Sequence, residues 1–166
     1  MKSTASAIFW RGLIIGLAAI LFAAAVPEAG FAQSDPLIGT WKLNLAKSTF
    51  SPGLAPRSAT VRYEAIEQGL KATTDIVDAQ GKKGRGVFTI IYDGQPHPVM
   101  GVPDADSSTY KSIDANTVEY TRMKAGRVVQ TGVRTLSSDG RTMTFTRRRM
   151  NDQEQKVVDV FIYEKQ

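Results

Sequence analysis

From Gly39 to Gln166 the chain breaks into short runs rich in Val, Ile, Thr, Tyr and Phe, closed by turn signals about ten residues apart. The signals are Gln68-Gly69, Asp78-Ala79-Gln80-Gly81, Asp93-Gly94, Asp114-Ala115-Asn116, Lys124-Ala125-Gly126, Ser137-Ser138-Asp139-Gly140 and Asn151-Asp152. Gly and Asn supply positive φ, and Asp-Gly suits a tight hairpin. The runs between them predict strands over 39–46, 60–67, 70–77, 86–92, 107–113, 117–123, 127–136, 141–149 and 156–164, with a tenth over 97–101. Connections this short force successive strands to pair antiparallel. A meander of this length either closes or leaves edges that recruit other chains. The expected fold is therefore all-β: an antiparallel up-and-down meander closed into a barrel of 8–10 strands.

Ala46 to Ser58 reads differently, because Pro52, Gly53 and Pro56 interrupt it. Proline removes a backbone donor and pushes its predecessor to extended geometry. The segment is expected to be an irregular loop across one barrel mouth, with Phe50 and Leu54 tucked beneath it. Gly39-Thr40-Trp41 opens the first strand, where the indole can plug the closed end of a small barrel.

The first 32 residues have another character. Lys2 and Arg11 precede a 14-residue apolar run, Leu13 to Val26, which leads to Ala29-Gly30-Phe31-Ala32. A spanning helix needs about 20 apolar residues, so an export signal cleaved after Ala32 is expected, and no stable membrane anchor. Residues 33–166 then form one domain. Losing Lys2, Arg11 and Glu28 from the 21 basic and 16 acidic side chains leaves a net charge of +4 over 134 residues. With no cysteine, the core must hold without disulfides, and a lipid-modified cysteine is excluded. A monomer in the periplasm or secreted beyond it is expected.

Leu37-Ile38-Gly39-Thr40-Trp41-Lys42-Leu43, the meander and the terminal Phe161-Ile162-Tyr163-Glu164-Lys165 resemble the calycin group, which holds lipocalins, fatty-acid-binding proteins and their bacterial relatives. The stretch GTWKLNLAKSTFSPGLAP is similar to exported bacterial proteins that open on the same Trp strand and Ser-Pro-Gly loop. The resemblance implies a lipocalin-like barrel with Gly39 and Trp41 as structural residues. In fatty-acid-binding proteins an Arg two places before the Tyr matching Tyr163 grips the ligand carboxylate; here that place is Phe161, so the clamp is incomplete. Lipocalins set a late Arg over the Trp ring; here the last strand offers Lys165, with Arg147 to Arg149 one strand earlier as substitutes. The helical portal of the one family and the trailing helix of the other are missing.

Strand alternation puts Met143, Phe145 and Arg147 on one face, Val118, Tyr120 and Arg122 on one face, and Phe161 with Tyr163 on one face. If those faces are inward, a guanidinium there needs an acidic partner or a ligand anion. The alternative is that both arginines lie near the rim and reach water along their stems. Arg122, Arg147, Tyr120, Phe145, Phe161 and Tyr163 are thus the candidate ligand-binding residues.

Other chemistry finds little support. The triplet Arg147-Arg148-Arg149 alternates faces and forms no single patch, and no aromatic-interleaved signature accompanies it, so nucleic acid is not an expected partner. Gly81-Lys82-Lys83-Gly84-Arg85-Gly86 lacks the phosphate-loop pattern and reads as a basic hairpin tip. One histidine, His97, and no cysteine leave no zinc set, and Asp104-x-Asp106 lacks the remaining features of a calcium loop. No Gly-x-Ser-x-Gly elbow exists, and the pairs Glu64 and Glu67 or Asp75 and Asp78 sit where solvated faces are expected. No catalytic residue, metal or cofactor is expected. Two functions stand first: an exported binding protein for a small, mainly apolar, neutral or anionic ligand held in the barrel, or a filled barrel whose loops bind another protein in the envelope as an interaction or inhibitor module. They differ in whether the interior is open. An isomerase acting on a bound lipid-like substrate would need an internal general acid or base, which the sequence does not mark.

Overall fold

The computed structural model describes residues 35–51, 53–151 and 153–166. The expected export signal lies outside the described residues. Eleven strands are present: β1 (Gly39–Leu43), β2 (Thr49–Ser51), β3 (Ser58–Ile66), β4 (Gly69–Val77), β5 (Lys83–Ile90), β6 (His97–Met100), β7 (Ser107–Ser112), β8 (Thr117–Lys124), β9 (Arg127–Leu136), β10 (Thr142–Met150) and β11 (Lys156–Lys165). Each strand from β3 to β11 pairs antiparallel with the next, and β1 bridges β3 and β11. The sheet is closed. Ten strands make the ring, and β2 continues the edge that β1 begins: β1 pairs with residues 163–165 of β11, β2 with residues 158–160.

That arrangement corrects the expectation for 46–58. The first strand stops at Leu43, not at residue 46. Asn44 then caps a single 3₁₀ turn, Leu45–Lys47, its side chain accepting from the Lys47 N–H. A five-residue β1 leaves the lower half of β11 without a partner, and β2 covers it. Phe50 does pack inward, edge-on to Phe161 with ring centroids 5.1 Å apart. Leu54 does not tuck under: it is 75% exposed. The basic hairpin tip is likewise shorter than Gly81 to Gly86, because Lys83, Gly84, Arg85 and Gly86 already pair with β4.

Alternation fills the interior. On β3 Ala59, Val61 and Tyr63 are buried while their neighbours are not, and on β11 Val157, Asp159, Phe161 and Tyr163 are. Burying such side chains removes apolar surface from water, the main favourable term for a chain without disulfides. The wall is thinnest at β6, which shares only Val87↔Met100 and Phe88↔Val99 with β5 and His97↔Ser108 and Pro98↔Ser107 with β7.

Trp41 belongs to the core. Its ring is fully buried, and its Nε1–H donates to the Leu37 carbonyl at 2.7 Å, so the indole's one polar atom is satisfied. The ammonium of Lys165 lies 5.4 Å from the ring centroid and donates to the Pro36 carbonyl at 2.7 Å. The terminal lysine therefore supplies the cation over the indole, and Arg147 to Arg149 do not substitute for it. Gly39 makes room: its φ is +127°, and a Cβ there would meet the Lys165 Cε at 3.3 Å.

Candidate functional site

The barrel is not filled. A cavity of about 250 Å³ opens among β3–β5 and β7–β11, with the loop from Gly101 to Asp104 at its mouth. Arg122, Arg147, Tyr120, Phe145, Phe161 and Tyr163 all line it. Tyr63, Phe88, Tyr110, Gln130 and Arg134 line it too. The parity of β3 or β9 would have placed Tyr63 and Arg134 inward, had those strands been read with the others.

Aromatic rings form a continuous wall. Tyr120 stacks on Phe145 with centroids 4.6 Å apart and a 14° interplanar angle, and Phe145 meets Phe161 edge-on at 6.1 Å. Such pairs hold each other in fixed rotamers and leave flat apolar faces toward the space between them. Burial pushes the phenols of Tyr63, Tyr120 and Tyr163 up from their ordinary value. They are neutral at physiological pH. The Tyr120 hydroxyl donates to the Thr146 carbonyl at 3.2 Å and accepts from the Gln130 amide at 3.1 Å.

The three interior arginines have different surroundings. Arg147 faces Asp159 across the β10–β11 ladder, donating to Oδ2 from Nε at 2.9 Å and from Nη2 at 2.6 Å. Arg149 approaches the same oxygen at 4.0 Å, while Arg148 points out to solvent between them. The alternation expected for the triplet is present. Asp159 itself escaped the sequence reading, although it shares parity with Phe161 and Tyr163. Arg134, on β9, donates from Nη2 to the Tyr92 hydroxyl at 2.8 Å and sits 5.7 Å from the Tyr63 ring centroid. Arg122, on β8, has its guanidinium 4.4 Å from the Phe88 centroid and 5.6 Å from that of Tyr120. Arg122 is half-buried, and its Nε is buried without a hydrogen-bond partner.

The remaining charged groups pair outside the cavity or at its lip. Arg85 clasps Asp75 at 2.7 and 3.0 Å, Glu64 meets Lys71 at 3.0 Å, and His97 bonds Asp93 at 2.9 Å. Among the described residues no three His, Asp or Glu side chains gather as a metal set would require.

Fold and site together define a closed, lipocalin-like β-barrel around an aromatic and arginine-lined cavity. Comparison with protein-family models and with curated proteins finds no match. Among solved structures the chain is similar to the zebrafish ileal bile acid-binding protein complexed with cholic acid, at a TM-score of 0.47 and 8% identity, covering 79% of this chain and 99% of that one.

Proposed function

We propose that this chain is an exported binding protein that carries a small, mainly apolar ligand in its barrel. The observation that carries this reading is the cavity: about 250 Å³, walled by stacked aromatic rings, with guanidinium groups facing in. Recognition is by burial of apolar ligand surface against Tyr120, Phe145, Phe161 and Tyr163, with the few polar groups fixing orientation. The volume lies just below the usual range for drug-sized ligands, roughly 300–1,000 Å³, and favours a compact ligand over a long chain. The charged, apolar and small-residue segments of residues 1–32 support export to the periplasm or beyond. A filled barrel acting through its loops would leave no such space.

Native mass spectrometry of the protein purified from the exported fraction of cells expressing the full chain tests this directly, followed by solvent extraction of whatever travels with it. A stoichiometric small molecule is the expected result. A clean apo mass, with no uptake from an envelope lipid extract, would favour the protein-interaction module instead.

A further inference from the structure

Ser108 and Arg122 face each other across the β7–β8 ladder. Both carry a buried side-chain atom with no hydrogen-bond partner, Ser108 Oγ and Arg122 Nε. An unsatisfied buried polar group costs stability, and of the two side chains Arg122 lines the cavity. Arg122 also makes no ion pair among the described residues. It differs in this from Arg147, which Asp159 neutralises, and from Arg85 at the mouth, which Asp75 neutralises. Arg134 also lacks a carboxylate, but its guanidinium is engaged by the Tyr92 hydroxyl.

The backbone singles out the same place. The β8–β9 ladder runs in register to Arg122↔Gln130 and then shifts, Met123 pairing with Val128. A bulge adds twist and re-aims the side chains beside it, and this one lies next to Arg122. The guanidinium rests on the Phe88 ring, held over the cavity by cation–π attraction. Its side chain lines the cavity, and its Nε–H is buried and unmatched.

We infer that the ligand is a compact amphiphile bearing one oxyanion, and that its head group seats on Arg122 rather than on Arg147. This rests on the cavity-binding reading and adds the charge and location of the head group to it. The oxyanion accepts from the Arg122 guanidinium, which lines the cavity, while its apolar body lies along Phe88, Tyr120 and Phe145.

A matched pair of probes separates charge from apolar burial. Anilinonaphthalene sulfonate carries the oxyanion, and N-phenyl-1-naphthylamine is the same skeleton without it. Fluorescence titrations of both use the ligand-stripped protein produced from the full chain, as wild type, Arg122→Gln and Arg122→Met. Either substitution should weaken the sulfonate about tenfold or more and leave the neutral probe within about twofold. Equal loss of both probes, or undiminished sulfonate binding in the variants, overturns the head-group assignment and leaves the cavity reading intact. If Arg122→Gln does not fold, Arg122→Met decides on the same criterion. Failure of the wild type to bind either probe overturns the cavity reading and the assignment with it.

Discussion

The Asp159 carboxylate, 2% exposed, takes two hydrogen bonds from the guanidinium of Arg147 on the facing strand. Removing one member of a buried pair leaves the other charge uncompensated, whereas replacing both with apolar groups is often nearly neutral. Asp159→Ala should therefore cost about 2–4 kcal/mol in urea-unfolding stability, below the full penalty for a buried pair because the Arg147 side chain is 27% exposed. The double variant Arg147→Leu/Asp159→Leu should recover most of that loss. A double variant no more stable than Asp159→Ala would contradict a self-contained pair.

Trp41 and Gly39 lie two residues apart on β1, and Trp41 is fully buried. Trp41→Ala should destabilise by about 3–5 kcal/mol, the usual cost of emptying a buried Trp site. Gly39→Ala should cost less, about 1–2 kcal/mol, because it strains a positive-φ backbone while the flexible Lys165 stem can shift. A loss below about 1 kcal/mol for Trp41→Ala would rule out its role as the barrel plug.

Gly132 sits between Tyr120 and Arg147 in the ladder, and a Cβ there would run into the Thr146 carbonyl oxygen and the Tyr120 ring. Backbone cannot swing aside as a side chain does. Gly132→Ala should cost about 3 kcal/mol or more and release the Tyr120 hydroxyl from Thr146. Thermal unfolding near the wild-type midpoint would show that β9 and β10 separate more easily than their register suggests.

Burial holds the phenols of Tyr63, Tyr120 and Tyr163 above their ordinary value. With the folded values raised, the unfolded chain loses these protons first. Their contribution to stability is fully present below about pH 10 and is lost as pH climbs through the folded values. Between about pH 7 and 9 they should add no slope to the unfolding free energy. Above that window, phenolate absorbance from these three should rise together with loss of near-ultraviolet circular dichroism. Phenolate absorbance from them in a protein with intact tertiary structure would contradict their burial.

The strand rhythm was legible because hairpins leave a local record. Asp93-Gly94 and Gly126 mark turns by chemistry that acts over a few residues, and alternation in β8, β10 and β11 states which side chains share a face. Parity alone brought Arg122, Tyr120, Phe145, Arg147, Phe161 and Tyr163 to the cavity wall. The short β2 was not legible, since it forms only because β1 ends early and leaves part of β11 unpaired.

By itself the sequence determined an all-β meander and the pairs of residues that share a face, because both follow from local turn geometry and the two-residue period of a strand. Only the tertiary structure decided which arginine is neutralised. Asp159 and Arg147 are 12 residues apart in sequence, Ser108 and Arg122 14, and nothing local distinguishes the two pairs. Ladder register put a carboxylate opposite one guanidinium and a hydroxyl opposite the other, and closure of the barrel buried the carboxylate and the hydroxyl.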